Sequence, residues 1–304
     1  MARLPYPLPA GLESLRVLGR GWPEWLARLP ALADEITDTW ELTYDGEPWS
    51  GATAMVAPVV DAAGRRAALK LGRVDEESAG ETVALQQWAG QGAVELWGAD
   101  PRRGVLLLER LGPGDLTEAW DLDACREVGE LYGLLHRPPS PRLRDVRELV
   151  TRWLEQVRTL PRGAAPPRFV EQALTAAPRL LAEEPSAVIH GDLHYENVLA
   201  GERRDWLVID PKGFAGDPAY EPAPALWNRW DELGDDPGNG IRERFFTLVD
   251  TAELDERRAR DWVVLRSVIG VAWEHTDAAG RPLTEPQREW VTRMVTTAKA
   301  MQEV

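Results

Sequence analysis

The chain has 304 residues, enough to bury a sizeable core in two lobes. Its 50 Asp and Glu outnumber its 35 Lys and Arg, and the formal net charge of −15 argues against nucleic acid or an anionic membrane held through a basic surface. Cys125 is the only cysteine, which excludes an internal disulfide and a cysteine-ligated zinc site. The proline-rich start Met1–Ala10 lacks the apolar core of a secretory signal, and no run approaches the roughly 18 apolar residues of a membrane helix. A cytoplasmic protein is expected.

Apolar positions from Leu12 to Ile36 recur at helical spacing, with a break near Gly19–Pro23. Trp40–Tyr44 alternates like a strand, Asp45–Gly51 is rich in turn residues, and Thr53–Val60 is extended again. After a turn at Asp61–Arg65 comes a third strand, Ala67–Leu71, and then a helix over Glu76–Trp88 with Glu81, Leu85 and Trp88 on one face. Val94–Trp97 and Gly104–Glu109 complete a sheet of about five strands, and this first lobe is expected to span residues 1–110. Residues 111–304 read as mainly helical, with Leu122, Val128, Leu131 and Leu135 on one stripe that also carries Cys125 as a core residue. Further helices are expected near 144–160, 167–183, 221–232, 240–250, 255–276 and 284–303, interrupted by short apolar strands at Ala187–Ile189, Val198–Leu199 and Trp206–Ile209. No internal repeat or low-complexity tract is present.

Between those strands lies the segment His190-Gly191-Asp192-Leu193-His194-Tyr195-Glu196-Asn197, followed by Val208-Ile209-Asp210. An aspartate with an asparagine five residues later, then a second aspartate ending an apolar run, is a phosphoryl-transfer arrangement. Asp192 is the candidate base for an acceptor hydroxyl. Asn197 and Asp210 offer the hard oxygen ligands that magnesium prefers. His-Gly-Asp alone is an ordinary turn, and the spacing to Asn197 and Asp210 is what gives it meaning.

In the first lobe, Lys70 sits inside an apolar strand, where a charge needs a partner unless the strand is an edge. The kinase template pairs that lysine with a glutamate on the next helix, here Glu81, with Glu77 as the other choice. The segment Tyr44–Ala52 occupies the place of a phosphate-covering loop, with Ser50 as a possible phosphate contact, although a plain hairpin explains the same residues. Glu109, Arg110 and Leu111 lead into Gly112-Pro113-Gly114, a connector whose backbone, at Glu109 and Leu111, can pair with an adenine edge.

Lys70, Glu81, His190-Gly191-Asp192 through Asn197, and Ile209-Asp210-Pro211-Lys212-Gly213 followed by Gly216-Asp217-Pro218-Ala219-Tyr220-Glu221 resemble the aminoglycoside phosphotransferase family of the kinase-like fold. The form of the last segments, and of Trp88–Trp97, is similar to the branch containing streptomycin 6-kinases and hydroxyurea phosphotransferases. The resemblance spans about residues 40–230. It implies an α+β, bilobal protein-kinase-like fold, with a small β-rich lobe and a larger helical lobe. It also implies ATP or GTP with Mg2+, and phosphorylation of a small hydroxylated acceptor, cationic if it is streptomycin-like. Asp217 matches a family aspartate that supports the loop. The chain departs from protein kinases in having Asp-Pro-Lys-Gly and no recognisable activation segment.

Glu221, Trp227, Asp231 and Glu274 are the acceptor candidates. Trp227, Trp230 and Trp273 are three of 14 tryptophans in all, and such rings either stack on a ligand or fill a core. The acidic groups Asp231, Glu232, Asp235 and Asp236, and Glu274 with Asp277, suit a cation but equally a solvated surface. His190 is expected to brace the loop, His136 to end a helix, and His194 to do no chemistry. An acceptor that is an amino sugar, hydroxyurea or another metabolite, a regulatory module without turnover, and a protein kinase are the other readings.

Overall fold

The computed structural model describes residues 4–15, 21–74 and 78–302. A short helix α1 (Ala10–Glu13) precedes α2 (Trp22–Thr39). The expected break falls at Gly21, whose φ of 85° suits glycine, with Pro23 in the first turn of α2 where its missing N–H has no cost. Leu26, Leu29, Ala33 and Ile36 form the buried stripe of that helix.

Next comes a fully antiparallel sheet of β1 (Thr43–Tyr44), β2 (Trp49–Ser50), β3 (Ala54–Val60), β4 (Arg66–Gly72), β5 (Leu96–Asp100) and β6 (Val105–Glu109), with α3 (Glu81–Trp88) between β4 and β5. The order is β1-β3-β4-β6-β5, and β2 continues the β1 edge beside β3. Period-two alternation divides its residues between two cores. Met55, Ala57, Val59, Ala67, Leu69, Leu71, Val105 and Leu107 pack under α1 and α2, whereas Leu106 and Leu108 pack with α3 and the helical part of the chain. Lys70 pairs with Val56 and Leu106, so it stands on this second face.

Within the expected loop Asp45–Gly51, only Trp49 and Ser50 are strand, as β2. Tyr44 faces Val59 and Trp49 faces Val56, so residues 45–48 stand opposite only Ala57 and Pro58 as a bulge. The tight turn lies further on, at residues 51–53, where the Gly51 N–H donates to the Ala54 carbonyl at 2.8 Å. The helix after β4 also begins later than expected: α3 starts at Glu81 after a 3-10 turn at residues 78–80, and Glu77 lies outside the described residues.

The helical part contains α4 (Asp121–Leu135), β7 (Arg144–Asp145), α5 (Val146–Arg158), α6 (Pro167–Leu180), β8 (Ala187–Ile189), β9 (Val198–Ala200), β10 (Trp206–Val208) and β11 (Phe214–Gly216). It ends with α7 (Ala223–Trp227), α8 (Pro237–Thr251), α9 (Glu256–Ala278) and α10 (Glu285–Ala300). Two small sheets, β7-β11-β8 and β9-β10, hold the segment of interest. Residues 261–272 of α9 are all buried, and the helix packs against α5, α6 and α10. The helix expected over 221–232 is only α7, because Asn228 leaves the helical conformation and Arg229 takes a φ of 49°. Glu221 therefore precedes that helix instead of lining it. No helix among the described residues is long and apolar enough to cross a membrane.

Candidate active site

The antiparallel β9–β10 pair determines where Asn197 and Asp210 lie. Val198 pairs with Val208, and the Ile209 N–H donates to the Asn197 carbonyl at 2.9 Å, so Asn197 and Asp210 leave the same end of the hairpin. Asn197 is 9% exposed, and its Nδ2 donates to the Asp192 carbonyl at 3.0 Å and lies 3.1 Å from His194 Nε2. With the amide nitrogen used in this way, Oδ1 is left for a cation. Asp210 has a φ of 56°, a conformation that costs a non-glycine residue about 1–3 kcal/mol and persists where its surroundings impose it.

Lys70 joins the two parts of the chain. Its Nζ lies 2.7 Å from Glu81 Oε1 and 2.5 Å from Asp210 Oδ1, across 140 residues of sequence. Burial favours loss of the lysine proton, but Glu81 and Asp210 outweigh it and hold the ammonium above its ordinary value. Burial, and the charge of Asp210, raise Glu81. For Asp210, burial acts upward, but Lys70 and Lys212 prevail and hold the carboxyl below its usual range. Asp192 projects from the same loop, half-buried, with no ion-pair partner among the described residues.

A second set of charged groups supports the loop from behind. Glu221 is fully buried, and its carboxylate accepts from the His190 N–H at 2.5 Å and the Gly191 N–H at 3.0 Å. Burial would raise Glu221, but His136, His190 and the Gly191 amide outweigh it and hold the carboxyl below its ordinary value. This corrects its expected place among the acceptor contacts: at 0% exposure it touches no cleft. Burial lowers His190, so the neutral ring carries one N–H. His190 Nε2, 2.8 Å from the Ile209 carbonyl, is the donor, and Nδ1 accepts the Asp192 N–H at 3.3 Å. The ring stacks on Trp88 at 6.4 Å. Arg266 completes the support, donating to the Gly191 carbonyl at 2.9 Å and the Tyr220 carbonyl at 3.0 Å with its guanidinium 4.0 Å from the Tyr220 ring centroid. Sequence reasoning passed over Arg266, although a charge inside the apolar run Val263–Ile269 is the same signal that marked Lys70.

Ser50 does not face this site. Its partner Met55 belongs to the α1–α2 face, and a Cβ placed at Gly11 would come within 2.2 Å of the Ser50 Oγ, so the hydroxyl abuts α1. Trp49, 48% exposed, is the residue of β2 whose partner Val56 shares the face of Lys70. In the connector, the Glu109 N–H donates to the Glu95 carbonyl at 2.9 Å, and its carboxylate accepts from the Glu95 N–H and Arg203. The Gly112 N–H donates to the Ala200 carbonyl at 2.8 Å. Leu111 lies between these two anchored positions.

Trp227 lines a small cavity with Trp153, Tyr220, Trp273 and Trp290. Arg266 lies 5.5 Å from its ring centroid and Trp290 meets it edge-on at 5.9 Å, so the chain's own groups already contact much of that ring. Asp231 is exposed in the 3-10 turn Trp230–Glu232, whose Glu232 is paired with Arg229. Glu274 is half-buried, and burial and Asp277 hold its carboxyl above the ordinary range.

As a cation site, Asn197 and Asp210 supply two oxygen donors, and no cluster of three His, Cys, Asp or Glu able to hold a metal exists among the described residues. That fits a hard divalent cation carried mainly by nucleotide phosphates and water, for which one or two protein ligands suffice.

A sheet-rich part carrying a lysine–glutamate pair, set against a helical part carrying Asp192, Asn197 and Asp210, defines a phosphotransferase of the protein-kinase-like fold. Residues 39–278 match the aminoglycoside/hydroxyurea antibiotic resistance kinases. Streptomycin 6-kinase of Streptomyces glaucescens is 38% identical over 92% of this chain and 93% of its own. Hydroxyurea phosphotransferase of Kitasatospora aureofaciens is 39% identical over 96% of this chain and 86% of its own. The crystal structure of a choline/ethanolamine kinase family protein from Mesorhizobium loti shares the fold, with a TM-score of 0.62, 20% identity, and coverage of 90% of this chain and 95% of that one. The chain belongs to the aminoglycoside/hydroxyurea antibiotic resistance kinase family, and it is an ATP-dependent phosphotransferase with a hydroxyl acceptor. The readings as a protein kinase and as a module without turnover are thereby set aside.

Proposed function

We propose that the protein transfers the terminal phosphoryl group of ATP, with Mg2+, to a hydroxyl of a streptomycin-type aminoglycoside. The observation that carries this reading is the bridge from Lys70 to both Glu81 and Asp210, a lysine of the sheet held against the aspartate that follows β10. Lys70, oriented by Glu81, holds the nucleotide phosphates, and the backbone at Leu111 meets the adenine edge. Asn197 Oδ1 and the Asp210 carboxylate would hold Mg2+, which would supply positive charge to neutralise the nucleotide phosphates.

Asp192 orients the acceptor and takes its proton. As the acceptor O–H proton passes to the Asp192 carboxylate, a bond forms from that oxygen to the γ-phosphorus. The bond from the γ-phosphorus to the bridging oxygen breaks, and ADP leaves with the electron pair. Catalysis here is mainly positioning and electrostatics, which suits a loop whose backbone is held by Glu221, His190 and Arg266.

The identity to streptomycin 6-kinases over most of the chain supports the acceptor class, as does the net charge of −15, which suits a polycation. A hydroxyurea acceptor is the second reading, favoured by a relative of that name at 39% identity. Incubating the purified protein with Mg-ATP and, separately, streptomycin, hydroxyurea and simple amino sugars, then weighing the products by mass spectrometry, tests both. Monophosphorylated streptomycin is the expected product. Phosphorylated hydroxyurea alone moves the assignment to the second reading, and ADP formation without any modified acceptor contradicts both.

A further inference from the structure

We infer that Lys212 is a second phosphate-binding cation, holding the γ-phosphoryl group from the floor of the cleft while Lys70 holds the nucleotide from its roof; this rests on the phosphotransferase reading above.

The backbone at Lys212 is fixed from both sides. Its N–H donates to the His190 carbonyl at 2.9 Å, and the Gly213 N–H donates to the same oxygen at 3.2 Å. On the other side, the carbonyls of Lys212 and Gly213 press so closely on Gly80 that a Cβ there would lie 2.3 Å and 1.9 Å from them. Only glycine permits that approach, which brings the floor of the cleft against the residue before Glu81. The root of the side chain lies beside the catalytic loop. Its Cβ lies 3.4 Å from where a side chain on Gly191 would begin, next to the residue that precedes Asp192.

The ammonium, in contrast, has no carboxylate or carbonyl partner among the described residues, although Glu81 and Asp210 both feel its charge. A half-buried lysine whose ammonium no group of the described residues holds is free to take an anionic ligand. The neighbourhood says which ligand. The floor carries the carboxylates of Asp192 and Asp210, which repel an incoming phosphate, and the loop residues Leu193, His194, Tyr195 and Glu196 add no Lys or Arg. Lys70 is shared between Glu81 and Asp210, and Arg266 is spent on the carbonyls of Gly191 and Tyr220. Charge in the transition state spreads over the three equatorial oxygens of the transferred group, and a preorganised cation beside them stabilises it. Lys212 is the cation placed to do so, and it therefore counts as a catalytic residue in this proposal.

The test uses the full chain as Lys212→Gln and Lys212→Arg, measuring streptomycin phosphorylation, binding of ADP and of a non-hydrolysable ATP analogue, and thermal melting. In Lys212→Gln, kcat should fall about 100-fold, the preference for the ATP analogue over ADP should disappear, and ADP affinity should stay within about twofold. Lys212→Arg should recover part of kcat and the preference for the analogue, because a cation returns to the same place. A kcat within about threefold of wild type, or a loss of ADP affinity parallel to that of the analogue, overturns the assignment. The binding comparison needs no acceptor. If wild type phosphorylates none of the compounds tried yet Lys212→Gln alone loses the analogue preference, the acceptor assignment fails and the assignment of Lys212 stands.

Discussion

The two sides of the catalytic loop use charge in opposite ways. In front, Lys70 bonds side chain to side chain with both Glu81 and Asp210, and the Asp192 carboxylate has no ion-pair partner among the described residues. Behind, Glu221 and Arg266 are buried and bond mostly to backbone, at His190, Gly191 and Tyr220. Side-chain partners can be exchanged for a nucleotide and a cation, whereas backbone partners cannot be given up without moving the loop. Front residues should therefore govern turnover with little effect on stability, and rear residues should govern stability and, through it, turnover.

The largest expected effect that sharpens this contrast is at Asp210. Asp210→Ala should lower kcat on the order of 10³-fold, because it removes the anionic ligand for the cation, while leaving the melting temperature close to wild type. Steady-state kinetics beside calorimetry check both halves. Lys70→Met should lower kcat about 100-fold and weaken ATP binding, measured by titration calorimetry.

At the rear, Glu221→Gln should destabilise the fold by about 1–3 kcal/mol in denaturant melts at neutral pH, since one charged acceptor serves two buried amides. Its acid dependence has a definite sign. The folded chain holds Glu221 below the ordinary glutamate value, so the unfolded chain takes up the proton first. The stabilisation is complete above about pH 4.3 and declines as pH falls from there toward the lower folded value. Wild type should show that acid limb, and Glu221→Gln should flatten it. A Glu221→Gln protein as stable as wild type, with turnover alone reduced, breaks the comparison. The smallest effect is at Ser50: Ser50→Ala should change kcat and the KM for ATP less than about twofold, because its hydroxyl lies against α1 on the far face of the sheet.

How far the site was legible follows from where its information lies. Asn197 and Asp210 were readable because one hairpin brings them to the same end, and Asp192 because it lies five residues back in a loop tied to the Asn197 side chain, so spacing along the chain becomes spacing in space. Lys70 and Glu81 were readable because a lysine in an apolar strand has to find a carboxylate, and the next helix offered one. Ser50 was misplaced because the bulge at residues 45–48 resembles a loop in sequence, and only the pairing with Met55 reveals which face each residue of β2 takes. Glu221 was misread because an acidic residue that caps backbone amides has the same letter as one that greets a cation. Its neighbours His136 and His190 are distant in sequence, so the burial that decides between the two is tertiary. The short strands β7 and β11 escaped notice because two or three residues carry too little periodicity to register.

The claim on which the account depends is that Asp192 takes the proton of an acceptor hydroxyl as the phosphoryl group leaves ATP. Single-turnover transfer from radiolabelled Mg-ATP to streptomycin tests it, with wild type compared to Asp192→Asn, which keeps the shape and removes the base. The account predicts labelled streptomycin from wild type and at least about a 10³-fold slower rate from the variant, with ATP affinity unchanged. Transfer by Asp192→Asn at the wild-type rate would contradict it.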